Sequence, residues 1–397
     1  MDKPAIAGGE PIRKKYIIFG KPVIEKDEIN EVVKTLKTGW IGTGPLVKRF
    51  EEMIVDYIGC KYAIAVNSCT SALHLSLLCN GIGKGDEVIT TPMSFGATAN
   101  VIEHVRAKPI FVDIEKDSYN IDPKEIEKNI TNKTKAIIPV HFAGLPCEID
   151  TIYEIAEEND LIVIEDAAHA IGSEYKNKKI GSHGNPTCFS FYPTKNITSI
   201  EGGIVCLNDK ELANKIRIYS LHGQSKDAWK RYDKDIKESY DIVYPGYKYN
   251  MTDVNASVII HQLRRIEEIN RTRTEYAKIY LEFFKHEELI ELPPDRNDRI
   301  NSWHLFPILL NLDKLRISRL EFIQALHMEN IGTGIHYKAI HKQSYYKNKY
   351  KFKEGSFKRA EYVSKRTVSL PLQTSINKND LIDVVKAVER ILHYYKN

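Results

Sequence analysis

Two short stretches hold residue types that do chemistry in combination. The run IEDAAHAIG, 164–172, carries Glu165 and Asp166 at the end of an apolar segment, 161–164. Taken alone, either acid is equally suited to capping the helix that follows. The run SFYPTKN, 190–196, closes an aromatic-rich segment at Pro193 and places Lys195 two residues later. Standing alone, that lysine would belong on the surface. Together the lysine and an acid have a use. A lysine amine forms an imine with an aldehyde cofactor, and a carboxylate keeps the cofactor's pyridine nitrogen protonated, so that the ring accepts carbanion electrons. Those are the demands of pyridoxal phosphate (PLP), which also needs a cradle for its phosphate. NSCTSALHLSL, 67–77, sets small hydroxyl residues between a strand and the first helical turn, where free N–H groups and the helix dipole favour an anion. An ordinary N-cap looks similar. TPMSFGAT, 91–98, puts Phe95 in the next crossover loop, either as a ring to lie against a cofactor or as a core phenylalanine.

The text around these runs indicates what positions them. Apolar segments at 62–66, 87–90, 109–112, 135–141, 161–164, 188–191 and 203–206 alternate with helical patterns at 71–78, 97–104, after Pro123 and at 150–158. Strands that are apolar throughout, separated by helices, predict an α/β fold. Its mostly parallel sheet is covered on both faces, with ligands beyond the carboxyl ends of the strands. Ahead of it lie an arm, a helix at 27–38 stopped by Gly39, the glycine-rich TGWIGTGP and a helix at 46–57. After about 254 the pattern changes to a long helix reaching 284, a strand at 303–310 and a helix at 319–328. A strand at 334–337 and a closing amphipathic helix at 381–394 follow. We expect two units: 1–255, the arm and a large PLP-binding domain, and 256–397, the linking helix and a small α+β domain.

Composition narrows the function classes. Fifty-seven basic and 53 acidic residues among 397 leave a net charge of +4, without the concentrated basic stripe of a nucleic-acid binder. Lys347, Lys349, Lys351 and Lys353 alternate with aromatics, as a solvated face or as a wall meeting an anionic substrate. The six cysteines form no C-x-x-C pair and read as reduced core or site-lining residues, with no metal site. MDKPAIAGGEPIRKK has no apolar targeting core, and no stretch approaches a membrane span, so a cytoplasmic protein is expected.

The motifs GWIGTGP, KGDEVIT, TKAIIPVHFAG, IEDAAHAIG, TKNI with EGG, PGYKYNMTDVNA, SWHLFPI, IGTGIHY and VSLPL follow one another along nearly the whole chain. With them the sequence resembles the DegT/DnrJ/EryC1/StrS family of sugar aminotransferases, and within it the UDP-4-amino-4-deoxy-L-arabinose transaminase type. The resemblance implies PLP-dependent transferase fold type I, the aspartate aminotransferase fold, with a seven-stranded sheet. It implies Lys195 as the cofactor-bearing lysine, Asp166 at the pyridine nitrogen and His169 near the ring and its substituents. Ser190, Cys69 and Thr70 correspond to the phosphate cup, and Phe95 to the ring-stacking aromatic. Asn250 lies in the segment that reaches the partner subunit's phosphate. Many members read GYNYR where this chain has GYKYN, so Lys248 is the alternative for that contact. Cys69 replaces a usual Gly or Ala, which is harmless if only its N–H is used.

The reaction implied is amino transfer from glutamate to C4 of a nucleotide-linked 4-keto sugar, with UDP as the expected nucleotide, by PLP/PMP ping-pong in a homodimer with sites at the subunit interface. His336, Tyr337, Lys338 and His341, with Lys248, are the substrate contacts expected by likeness, and the stretch from Tyr345 is a candidate wall for diphosphate or uracil. Polysaccharide or lipopolysaccharide synthesis would use the product. The alternatives are a C3-specific aminotransferase, a keto-cyclitol aminotransferase, a PLP-dependent sugar dehydratase and a non-catalytic PLP-binding regulator. Dehydrating relatives replace the lysine with histidine, whereas Lys195 is retained here.

Overall fold

The computed structural model describes residues 3–224 and 241–397. The expected strands form one seven-stranded sheet. Its order is Lys108–Phe111, Glu87–Thr90, Thr134–Ile138, 162–166, Thr187–Ser190, Gly203–Leu207 and Tyr62–Val66. The fourth strand is interrupted at Ile164. Ile162–Val163 pairs to one side and Glu165–Asp166 to the other, and a Val140–Asp166 bridge joins the halves. All pairings are parallel except the two made by Gly203–Leu207.

The uninterrupted apolar text has a direct cause. Successive side chains of a strand point to opposite faces, and here both faces are covered. Ala63, Ala65, Ile89, Ile137, Ile204 and Cys206 enter one core, with Phe50 and Ile54 of the helix Pro45–Ile58 and with Ile259 of Asp253–Arg264. Ile64, Val66, Val88, Ala136, Ile138, Val205 and Leu207 enter the other, against the helices Cys69–Cys79, Gly96–His104 and Lys210–Ser220. The last of these has no counterpart in the sequence reading. It is highly charged and is started by Asp209, whose carboxylate accepts from the N–H groups of Glu211 and Leu212.

The expected long helix is two, Asp253–Arg264 and Ile266–Phe284, broken where Arg265 leaves helical geometry and pairs with Glu25 and Glu28. Beyond it Ile290–Glu291, Phe306–Leu310 and Thr367–Leu370 form an antiparallel sheet. That sheet packs with Arg319–Met328 and Lys378–Tyr394 around a separate core. The N-terminal arm joins this core through Ile17. Buried Glu329 holds it there, accepting from the N–H groups of Ala5 and Ile12 (both 2.8 Å) and pairing with Arg390.

The strand expected at 334–337 is absent. Only Gly334 bridges to Ser369, after which the chain leaves the sheet and carries His336 and Tyr337 to the main cleft. The aromatic-basic stretch also resolves. Tyr346 and Phe357 pack against Phe111, while Lys347, Lys349, Lys351 and Lys353 are exposed and Lys349 pairs with Glu103. It is a solvated face over an aromatic core. No described helix is long and apolar enough to cross a membrane, and all six cysteines are buried and unbridged.

Gly203 sets the closest approach in the large sheet. A Cβ there would lie 2.4 Å from the Cys69 nitrogen and 2.4 Å from the Ser68 carbonyl carbon. Gly203→Ala should therefore push the helix start off the sheet, costing about 1–3 kcal/mol as overpacking does. Urea unfolding would measure this, and an unchanged midpoint with an unchanged slope would contradict the close approach.

Candidate active site

A cavity of about 580 Å³ opens beyond the carboxyl ends of the central strands. It is lined by the loop after Tyr62–Val66, the loop after Glu87–Thr90, the end of the 162–166 strand, the turn after Thr187–Ser190 and the 335–337 segment. The two acids of IEDAAHAIG sit on one strand, so they face opposite ways. Glu165 turns into the core. It bonds His141 Nε2 at 2.9 Å and accepts from the hydroxyls of Tyr153 (2.6 Å) and Thr187 (2.9 Å). Burial alone would raise its pKa, but the bonds from His141 and Tyr153 outweigh this and hold it below the usual range. Asp166 turns to the cavity, where burial wins over its hydrogen bonds and its pKa is raised. Its carboxylate accepts from Thr98 Oγ1 at 2.7 Å and from the Ala168 N–H at 3.2 Å. Because Thr98 spends its single proton on Asp166, the 2.7 Å contact with Ser94 must have Ser94 donating. Asp166 has no ion-pair partner within 4.0 Å among the described residues.

Lys195 is partly open to the cavity, yet enough protein surrounds its ammonium to push the pKa down to about 8 despite the nearby Cys69 and Asp166. Its turn is pinned from behind. The Asn196 amide donates to Asn270 Oδ1 and to the Ser302 carbonyl, both at 2.9 Å, and its oxygen meets His304 Nδ1 at 3.1 Å. Three histidines line the same cavity, and burial lowers the pKa of each: His169 and His304 fall well below the ordinary value, and His336 falls to about 3. They are neutral. His169 Nδ1 accepts the Ala143 N–H at 3.3 Å, so its proton sits on Nε2 and is donated to Tyr337 Oη at 3.0 Å. The Tyr337 proton is then left for another acceptor.

The phosphate end is the start of the helix Cys69–Cys79. Its N-cap Ser68 accepts the Ser71 N–H at 3.1 Å, which leaves those of Cys69 and Thr70 without an acceptor among the described residues. The Cys69 thiol points inward, donating to the Cys188 carbonyl at 3.3 Å, so this position offers its backbone to the cavity. Ser190 ends its strand opposite Gly203 and also lines the cavity.

Lys195, Asp166, His169, Ser190, Cys69, Thr70, Phe95, His336 and Tyr337 thus meet at one cleft. Three expected substrate contacts do not, and Asn250, expected at the partner subunit's phosphate, also lies outside this lining. Lys248 and Lys338 are exposed away from its lining. Asn250 donates to Thr43 Oγ1. His341 is buried against Phe357 (4.8 Å between centroids) and bonded to Glu361, because its segment turns into the aromatic core. Thr98, Ser94 and His304 escaped the sequence reading. The first two stand in TPMSFGAT, where only Phe95 drew notice, and His304 has no local pattern that marks it.

The residues fit PLP on a specific ground: a buried carboxylate without a counter-cation faces the cleft, and a protonated ring nitrogen would supply that charge. The free N–H groups at the helix start suit its phosphate, and a lysine of depressed pKa suits its aldehyde. Such a set on a mostly parallel, doubly covered sheet defines the PLP-dependent transferases of fold type I. The DegT/DnrJ/EryC1/StrS aminotransferase family matches residues 22–389. The uncharacterized protein MJ1066 of Methanocaldococcus jannaschii is 51% identical over 381 residues, 96% of this chain and 99% of its own. The spore coat polysaccharide biosynthesis protein SpsC of Bacillus subtilis is 44% identical, over 96% of this chain and 98% of its own. Among solved structures, Spr1654 of Streptococcus pneumoniae, named as a sugar aminotransferase, superposes in its PMP form with a TM-score of 0.89 at 33% identity. That match covers 96% of this chain and 98% of the other, and a PLP form of the same protein is known. The chain belongs to the DegT/DnrJ/EryC1/StrS aminotransferase family. It is a sugar aminotransferase that uses PLP.

A lysine shifted to about 8 should betray itself chemically. In cofactor-free protein, acylation of Lys195, followed by peptide mass spectrometry, should rise with pH and reach half its maximum near pH 8, because only the neutral amine reacts. A midpoint near the ordinary lysine value of about 10.4 would contradict the burial argument.

Proposed function

We propose that the protein moves the amino group of glutamate to C4 of a nucleotide-linked 4-keto sugar, most simply a UDP sugar. The carrying observation is Lys195, its amine pKa pushed down by burial to about 8, sharing a roomy cleft with the uncompensated Asp166. When bound, PLP supplies an aldehyde to carry nitrogen and a ring to accept the electron pair released at the donor's α-carbon. Lys195 Nζ holds the cofactor and then moves the proton lost from that carbon, a task that a pKa near neutrality favours. Asp166 keeps the ring nitrogen protonated, with Thr98 and Ser94 fixing its carboxylate. Cys69, Thr70 and Ser190 bind the phosphate. His169 orients the ring's substituents through its fixed tautomer, and Phe95, two-thirds exposed at the cleft mouth, covers the ring.

His336 and Tyr337 are kept as substrate contacts. Lys338, His341 and Lys248 have no support from their placement. The partner subunit's Asn250, or its Lys248, is proposed to complete the phosphate site in a homodimer, and the chain to divide into 1–255 and 256–397. The C4 position, the UDP group and the arabinose-type likeness rest on the sequence motifs. The relatives named above do not carry them. SpsC, by its name, supports a product used in polysaccharide synthesis.

Asp166→Asn should leave Lys195 able to bind PLP, seen as a band near the visible edge, but reduce kcat by several powers of ten at ~1.4 kcal/mol per decade. A variant keeping a tenth or so of the wild-type rate would remove Asp166 from this role. For the substrate, glutamate and a panel of UDP- and dTDP-linked 3-keto and 4-keto sugars should give amination at C4, read by NMR of the product. Amination only at C3, or only of a free keto-cyclitol, would overturn the C4 reading and leave the PLP assignment standing.

A further inference from the structure

Behind Lys195 lies a guanidinium that the roles above do not use. Arg273, on the helix Ile266–Phe284, is 4% exposed. Its Nη1 donates to the carbonyls of Trp303 (3.1 Å) and His304 (3.2 Å), while its buried Nε has no hydrogen-bond partner. No carboxylate lies within 4.0 Å of it among the described residues, unlike Arg265 and Arg299, which are paired. Burial pushes its pKa down only to about 10, so it stays a cation. An unpaired buried cation is costly, and an anion with matching geometry relieves that cost.

The surroundings show where that anion would sit. Arg273 and Lys195 line one cavity of about 280 Å³, which also carries Glu25 and Glu268. Arg273 lines a second, of about 200 Å³, with Thr194, His304, His336 and Gln373 and with no acid. Thr194, His304 and His336 also line the main cleft. The cleft that holds Lys195 thus shares three wall residues with an acid-free chamber whose one charge is positive.

We infer that Arg273 is the carboxylate-binding group for the amino donor, seating an α-amino acid's carboxylate in the chamber beside Thr194 and His304. This rests on the proposed donor chemistry. Two features distinguish it from a purely structural arginine: no carboxylate pairs with this buried guanidinium among the described residues, and it lines a chamber that shares Thr194, His304 and His336 with the cleft.

The probe is glutarate, a dicarboxylate with no amine to react, titrated calorimetrically into holoenzyme. Wild type should bind it, Arg273→Gln should weaken binding by about tenfold or more, the worth of one charge-assisted bond, and Arg273→Lys should recover part of it. The half-reaction of the PMP form with keto sugar should stay near wild type in both variants. Equal glutarate affinity in folded Arg273→Gln, or equal loss in both half-reactions, would overturn the inference. Should the variants not fold, a structure of wild-type holoenzyme with glutarate decides: a carboxylate on Arg273 supports the site, and one bound elsewhere overturns it. If glutamate fails as a donor to wild type while glutarate still binds at Arg273, the donor identity fails and the carboxylate site stands.

Discussion

A carboxylate taken out of water without a cation beside it is the constraint around which this molecule is arranged. Asp166 ends the strand nearest the middle of the sheet, and burial works against its charge. It is tolerable because two elements aim donors at it, Thr98 from the helix Gly96–His104 and the Ala168 N–H from its own loop. One residue earlier, Glu165 faces the other side and is fully occupied by His141, Tyr153 and Thr187. The strand's alternation thus separates a carboxylate whose work is structural from one left with capacity for a ligand. Buried charges half-satisfied in this way are where binding energy is available.

The same logic explains why the histidines around the cleft are neutral. With Lys195 close by and water thinned out, a protonated imidazole would face both desolvation and a like charge. Their hydrogen bonds then have direction. His169 can give its proton only toward Tyr337, and His304 is turned by Asn196, the residue that follows the lysine. Positional control over the reactive amine therefore comes from amides and neutral rings, not from ion pairs that would move its pKa.

Much of this was legible in the sequence because it was local. Strands buried on both faces announce themselves as unbroken apolar runs, and Lys195 and Asp166 stand beside such runs. The helix N-terminus at 67–71 carries its own hydroxyl cap. What the sequence concealed is what depends on distant partners. Arg273 reads as one more basic residue on an amphipathic helix until Trp303 and His304 fold over it. Thr98 is an ordinary helical threonine until Asp166 arrives from 68 residues away. The expected strand at 334–337 failed because its apolar texture serves a loop that delivers side chains to the cleft, and the helix break at Arg265 depends on Glu25 and Glu28, far upstream.

The arm that clasps Glu329 also ties catalysis to the order of synthesis. Residues 5–17 contribute to a core made chiefly of residues 276–392, and Arg13 pairs with Asp380 and Asp383 in the final helix. Phe19, at the end of that arm, stacks on His336 in the cleft wall, with ring centroids 5.7 Å apart. The large sheet can close once residue 207 has emerged, but the arm must wait for partners that lie 317 to 370 residues beyond it in the chain. Contacts of such long sequence separation form late, since the entropy of closing the loop precedes any reward. A nascent chain therefore acquires a sheet long before it acquires a finished cleft wall, and a complete pocket awaits the helix Lys378–Tyr394 that anchors the arm.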